Sequence, residues 1–146
     1  MKTCIRSVVA LAIAITSLAC SDSTGVDPED LEGTWNATVA VVINAANSAQ
    51  TEHLIALGLA ITVELRRDGT VTATFDDGAA PDVEMGTLAV VGSDLTLVLE
   101  SNSYMGSISR DGDRMSMTLI NGIDWDFDND GVDLPATIRL ELVRVS

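Results

Sequence analysis

The sequence predicts an all-β domain that forms an eight-stranded antiparallel up-and-down β-barrel. Apolar and polar residues alternate along most of the chain after residue 33, which is the period of a β-strand and not of a helix. Turn residues interrupt this alternation at short intervals, as hairpin connections require. Eight strands are about the number that closes into a barrel without free edges. A two-sheet β-sandwich is the alternative all-β architecture.

The first half of the domain contributes four predicted strands. The first has one apolar face, formed by Trp35, Ala37, Val39, Val41 and Ile43. A loop over residues 45–51 leads to a second strand over residues 54–66, which ends at Asp68-Gly69, a dipeptide suited to a type I′ turn. The third strand covers residues 70–75. After turn residues at 77–78 and 81–82, the fourth covers residues 83–91.

The second half contributes four more strands. The fifth covers residues 95–100 after a turn at 92–94, and the sixth covers residues 104–110. The dipeptide Asp111-Gly112 predicts another tight turn, followed by a strand over residues 115–120. The last strand covers residues 136–145 and places Ile138, Leu140 and Leu142 on one face. No segment shows a convincing amphipathic helix pattern.

Residues 1–19 have the pattern of a signal peptide. Lys2 and Arg6 give a positive start, and an almost continuously apolar run follows over residues 7–18. The run is too short to cross a membrane as a helix, so we expect it to be cleaved and not retained as an anchor. Cys4 would leave with it, and the mature chain would keep only Cys20 and form no internal disulfide.

Ser17-Leu18-Ala19-Cys20 resembles the bacterial lipobox, in which a cysteine that follows a small residue is acylated on sulfur before cleavage. The resemblance implies a lipid on Cys20, a polar tether over residues 20–32 and a barrel domain over residues 33–146. Ser21 is not the aspartate that typically retains lipoproteins in an inner membrane, so we expect the outer membrane. Small residues at positions 17 and 19 also fit ordinary secretory cleavage, which makes a periplasmic or secreted protein the alternative.

The composition is strongly acidic and excludes some partners. Asp and Glu number 22 against 8 Lys and Arg, which gives a formal net charge of −14 at pH 7. Such a charge repels nucleic acid and anionic lipid headgroups, so we expect no nucleic-acid binding and a membrane attachment through the acyl chains alone. The sequence indicates no particular oligomeric state.

Gly33-Thr34-Trp35, at the start of the first strand, resembles the G-x-W signature of lipocalin-like (calycin-type) proteins. The resemblance implies that Trp35 plugs one end of the barrel and that Arg144 or Arg139, from the last strand, covers it. It also implies a small hydrophobic ligand inside. The predicted inward residues are aliphatic, which suits such a ligand, but side chains alone can fill an eight-stranded interior.

An acidic motif lies between the last two predicted strands. Asp126, Asp128 and Asp130, followed by a glycine, match the start of a calcium loop, in which alternate carboxylates converge on the cation. The carbonyl of Val132 and the carboxylate of Asp133 or Asp124 are candidates to complete the shell. Counted from Asp126 as position one, position twelve is Thr137 instead of the bidentate glutamate of an EF-hand. No flanking helices are predicted either, so the motif is not an EF-hand. A solvated acidic loop without metal is the alternative.

The sequence carries little that indicates catalysis. His53 is the one histidine, and no nucleophile or metalloprotease motif accompanies it, so we expect no enzyme. Two functions remain. One is an envelope-anchored lipoprotein that binds a small hydrophobic molecule. The other is a structural or interaction module with a filled core and a calcium-binding acidic loop.

Overall fold

The structure, a computed structural model, describes residues 25–120 and 123–145. The predicted signal peptide and Cys20 lie outside these residues. One short 3₁₀ turn, Pro28–Leu31, precedes ten strands. The strands are β1 (Gly33–Asn44), β2 (Thr51–His53), β3 (Ala60–Leu65), β4 (Thr70–Asp76), β5 (Asp82–Val91), β6 (Asp94–Leu99), β7 (Ser103–Asp111), β8 (Arg114–Ile120), β9 (Asp124–Trp125) and β10 (Leu134–Arg144).

Eight of these strands form a closed antiparallel barrel. From β3 to β8 each strand pairs with the next in the chain, β8 pairs with β10, and β1 pairs with both β3 and β10. The β1–β10 pairing joins the two edges of the sheet, so the predicted eight-stranded barrel is confirmed and the sandwich alternative is wrong. The short strands β2 and β9 lie outside the ring, against β1 and β10.

A β-bulge in β1 changes which residues face the interior. The register with β10 shifts between Ala37 and Val39, so one extra residue reverses the alternation beyond that point. Trp35 lies in the core before the bulge, and Ala40 and Val42 lie in it afterwards. The prediction that Val39, Val41 and Ile43 share the face of Trp35 is therefore wrong.

The segment before β3 also differs from the prediction. Residues 54–58 form a turn in which the Leu57 N–H donates to the carbonyl of Leu54, and Gly58 has a φ of 99°. The predicted second strand therefore begins only at Ala60. On this edge of β1, β3 pairs only with residues 33–36. The later residues of the same edge remain available, and β2 pairs with residues 41–43. The loop predicted over residues 45–51 therefore ends one residue earlier, where β2 begins at Thr51.

The up-and-down order gives the barrel two different ends. The closed end carries the tight turns over residues 66–69, 92–93 and 112–113, with Gly69, Gly92 and Gly112 at positive φ. Hairpins were predicted at Asp68-Gly69 and Asp111-Gly112, and both are present. The predicted type I′ geometry is wrong, because the turns cover residues 66–69 and 112–113 and neither Asp68 nor Asp111 has a positive φ. The open end carries the longer connections over residues 77–81 and 100–102 and the segment over residues 123–133, which includes β9. The interior between the two ends is a single core of buried aliphatic side chains.

Candidate functional site

The barrel interior contains a cavity of about 250 Å³. Its lining is almost entirely aliphatic and aromatic, which is the surface expected around an apolar ligand. The lining residues are Leu54, Leu59, Ile61, Val63, Leu65, Val71, Ala73, Phe75, Leu88, Leu97, Leu99, Tyr104, Met117, Leu119, Trp125, Ile138 and Leu140.

On β6, β7, β8 and β10, the residues that line the cavity lie toward the open end. On β8, Met117 and Leu119 line the cavity but Met115 does not. On β10, Ile138 and Leu140 line it but Leu142 does not. Met115 and Leu142 are each 1% exposed and belong to the same core cluster as Trp35. On these strands, side chains therefore fill the interior at the closed end. On β3 and β4 the cavity extends to Leu65 and Val71, next to the closed-end turn over residues 66–69.

Trp35 and Arg144 meet at the closed end. The Trp35 side chain is fully buried, and its Nε1 donates to the carbonyl of Leu31 at 2.8 Å. The guanidinium carbon of Arg144 lies 4.4 Å from the centroid of the Trp35 ring, a cation–π arrangement. Gly33 begins β1 with a φ of 137°, which favours glycine. Arg139, the other candidate, is exposed near the middle of β10, opposite Thr118 and Val41.

Arg144 also holds the N-terminal segment over the closed end. Its Nη1 donates to the carbonyl of Glu32, and its Nη2 donates to the carbonyl of Asp30 at 2.6 Å. Leu31 between them is 1% exposed. At the start of the segment, the Val26 N–H donates to the carbonyl of Gly92 at 2.9 Å. Residues 26–32, which we assigned to the tether, thus pack on the barrel.

The acidic loop brings three carboxylates together. Asp126, Asp128 and Asp130 each offer an oxygen within 4.8 Å of the others, a spacing that could hold a metal ion. The loop is shaped by its own hydrogen bonds: Asp126 accepts from the N–H of Gly131 at 2.9 Å, and Asp130 accepts from the N–H of Val132 at 2.8 Å.

The other predicted ligands of the acidic loop are less close. Asp133 and Asp124 are not part of the three-carboxylate group. Val132, the predicted carbonyl ligand, is exposed, and its N–H donates to Asp130. Among the residues that the structure describes, the carboxylates that converge are therefore the three of the D-x-D-x-D pattern. Positive φ angles at Asn129 (55°) and Gly131 (84°) produce the tight bend that brings them together.

Trp125 is a cavity residue that the sequence did not single out. It lies in β9, paired with Leu134, immediately before the acidic loop. Its ring lines the cavity, and its Nε1 is buried without a hydrogen-bond partner among the described residues. The one sequence signal is an aromatic residue between two aspartates, in a segment that the sequence predicts only as a metal motif.

Tyr104 contributes the other polar group of the lining. Burial raises the pKa of its hydroxyl above the ordinary value of 10.0, and the negative charge of Glu84 adds to the increase. Hydrogen bonds with Ser101 and Asn102 act in the opposite direction. The hydroxyl thus already has partners in the 100–102 connection, unlike the indole of Trp125.

The two ends of the barrel differ in charge. Arginines cluster at the closed end, and within the described ranges no lysine or arginine lies at the open end. The closed-end arginines are Arg66, Arg67, Arg110, Arg114 and Arg144. The acidic residues at or beside the open end are Glu52, Asp76, Asp77, Asp82, Glu84, Glu100, Asp124, Asp126, Asp128, Asp130 and Asp133. The cavity mouth is therefore strongly electronegative.

Comparison with protein-family models and with curated proteins finds no match for this chain.

His53 lies exposed in β2, opposite Val41. In residues 25–120 and 123–145, no helix has the length and hydropathy that a membrane crossing requires.

Proposed function

We propose that this chain is an envelope-anchored binding protein whose lipocalin-like barrel holds a small hydrophobic molecule. The observation that carries the proposal is the apolar cavity of about 250 Å³ inside the barrel. A core built only for stability is normally packed without such space, because each void loses dispersion contacts. A ligand would restore those contacts.

The volume limits the size of the ligand. An apolar cavity of about 150 Å³ accommodates benzene, which corresponds to roughly 25 Å³ for each carbon atom. A cavity of about 250 Å³ then suits about ten non-hydrogen atoms. That number corresponds to a medium-length alkyl chain or a compact cyclic hydrocarbon skeleton.

The proposed anchor would set the orientation of the barrel. The N-terminal segment leaves the folded domain at the closed end, where Val26 bonds to Gly92. A lipid on Cys20, inserted in the outer membrane, would hold that end near the bilayer and direct the open end away from it. The ligand would then exchange with the aqueous side and not directly with the lipid.

We propose calcium as a second ligand, at Asp126, Asp128 and Asp130. The convergence of their oxygens within 4.8 Å supports this, since calcium binds several carboxylates at once. Bound calcium would offset the repulsion among the three carboxylates and stabilise the conformation of the loop that follows Trp125. An exposed site with few protein ligands suits a dissociation constant of about 10⁻⁴–10⁻³ M.

Calcium binding is tested by thermal unfolding with 5 mM calcium and with a chelator. We expect calcium to add about 1–2 kcal/mol to the free energy of unfolding, because it binds only the folded loop. Asp128→Asn should abolish the increase, whereas Asp133→Asn, outside the three-carboxylate group, should preserve most of it. Equal melting temperatures with calcium and chelator would leave the loop a solvated acidic turn.

The ligand is tested by native mass spectrometry of the protein purified from its own host. We expect an adduct of about 150–200 Da, the mass of roughly ten to twelve carbon and oxygen atoms, which is lost on denaturation. The same spectra report acylation of Cys20 as a covalent increase in mass. A mass without any adduct, together with no binding of added hydrophobic compounds, would favour the structural or interaction module instead.

A further inference from the structure

The two tryptophans of the chain differ in how their indole N–H groups are satisfied. Trp35 donates to the carbonyl of Leu31 at 2.8 Å. The Nε1 of Trp125 is buried and has no acceptor within the part of the chain that the structure describes. Buried donors in folded proteins nearly always have a partner, because an unmade hydrogen bond destabilises the fold. The unpaired group belongs to a residue that lines the cavity.

We propose that the cavity ligand is an uncharged molecule of about ten non-hydrogen atoms with one acceptor oxygen, which takes a hydrogen bond from Nε1 of Trp125. This inference rests on the proposed function, since it names the chemical class of the molecule held in that cavity. A ketone, ester, amide or alcohol with an alkyl body belongs to this class. The rest of the lining offers the ligand only apolar contacts, apart from the Tyr104 hydroxyl, which has partners in residues 101 and 102.

The charge of the open end excludes an anionic ligand. Asp124 and Asp126 flank Trp125 in the chain, and Glu84 lies close enough to Tyr104 to raise its pKa. In the described residues no lysine or arginine stands at this end to pair with a carboxylate. A free fatty acid would therefore lose its hydration beside like charges, without compensation. A neutral oxygen meets no such penalty.

The experiment uses the exported chain with Cys20→Ser, which cannot be acylated and is studied without detergent. Three probes of nearly equal length are titrated at pH 7: 2-decanone, decane and decanoate. The two indole N–H resonances are followed in ¹H–¹⁵N spectra, and the methyl resonances of the core report occupancy. Trp35 is the internal control, because its hydrogen bond is already made.

We expect 2-decanone and decane both to shift methyl resonances of the cavity, whereas only 2-decanone moves the Trp125 N–H downfield. Trp125→Phe removes lining atoms as well as the N–H, so it should weaken both ligands, but 2-decanone about two- to tenfold more than decane, a difference that corresponds to one neutral hydrogen bond. Decanoate should bind at least tenfold more weakly than 2-decanone. If the Trp125→Phe variant does not fold, the spectra of the protein that keeps Trp125 test the hydrogen bond by themselves.

Different outcomes would overturn different parts of the account. If decane and 2-decanone move the Trp125 N–H alike, or if decanoate binds as tightly as 2-decanone, the inference about ligand class is wrong although the cavity binds. If none of the three probes shifts a cavity methyl resonance, the proposed binding function itself fails.

Discussion

Arg144 joins three parts of the closed end through one side chain. Its guanidinium lies over the ring of Trp35, donates to the carbonyls of Glu32 and Asp30, and lies 3.6 Å from the carboxylate of Asp113. The planar guanidinium can stack and donate in several directions at once, which an ammonium group cannot. The same side chain thus covers the core and attaches the N-terminal segment.

Replacing Arg144 should therefore destabilise the barrel more than replacing a surface arginine. We expect Arg144→Ala to lower the free energy of unfolding by about 2–3 kcal/mol, from the lost hydrogen bonds to two carbonyls and the lost cation–π contact. Arg139→Ala, on the exposed middle of β10, should change it by less than about 0.5 kcal/mol. Urea unfolding measures both. Equal effects would mean that the contact with Trp35 contributes nothing to stability.

Tyr104 is the single tyrosine of the chain, so its ionisation can be observed alone. Burial, with the charge of Glu84, raises its pKa above 10.0. Since the folded-state pKa is raised, the contribution of Tyr104 to stability is complete below about pH 10, the pKa of an unfolded tyrosine, and is lost as the pH rises through the folded value. Absorbance at 295 nm should give a midpoint above 10.0. A midpoint at or below 10.0 would show that the hydroxyl is solvated.

At the scale of the strands, two inward-facing glycines allow neighbouring strands to approach. A Cβ added at Gly86 would lie 1.8 Å from the carbonyl oxygen of Val98, and one at Gly106 would lie 1.8 Å from that of Thr118. Neither contact is possible between real atoms. Glycines on β5 and β7 therefore permit the close strand packing on this side of the barrel.

Gly106→Ala should be severely destabilising, because the backbone of β8 must move to make room for a methyl group. We expect a loss of at least about 3 kcal/mol in the free energy of unfolding, or failure to fold. Ser107→Ala, exposed at the next position of β7, is the matched control and should be nearly neutral. If both variants melt within a degree of the wild type, the strands are less closely packed than the structure describes.

The sequence predicted the strands and tight turns better than it predicted the faces. Alternation and Asp-Gly dipeptides are local signals, and they located the hairpins between β3 and β4 and between β7 and β8, although not the turn type. The bulge after Ala37 was not detectable, because β1 is apolar at consecutive positions from Val39 to Ile43 and either alternation fits. Strands β2 and β9 were missed because pairing with β1 and β10, not local composition, makes them strands.

At the scale of the molecule, the closed and open ends have separate roles in the account. The closed end is covered by Trp35 and Arg144, carries most of the described arginines and is the point from which the N-terminal segment leaves. The open end is acidic and contains the cavity mouth, Trp125 and the three-carboxylate loop. The resemblance at residues 33–35 predicted the meeting of a tryptophan and an arginine, whereas the cavity and Trp125 depend on three-dimensional packing that no local pattern encodes.

Filling the cavity tests the central claim, that a hydrophobic molecule is bound inside the barrel. Ala73 on β4 lines the cavity, and leucine there would add three carbon atoms, which occupy roughly 75 Å³ of the available space. Ala89 on β5 faces outward, so Ala89→Leu adds the same atoms outside the barrel. We would measure 2-decanone binding to both variants by calorimetry. The account predicts at least a tenfold loss of affinity in Ala73→Leu with none in Ala89→Leu, whereas equal affinities in the two variants would contradict it.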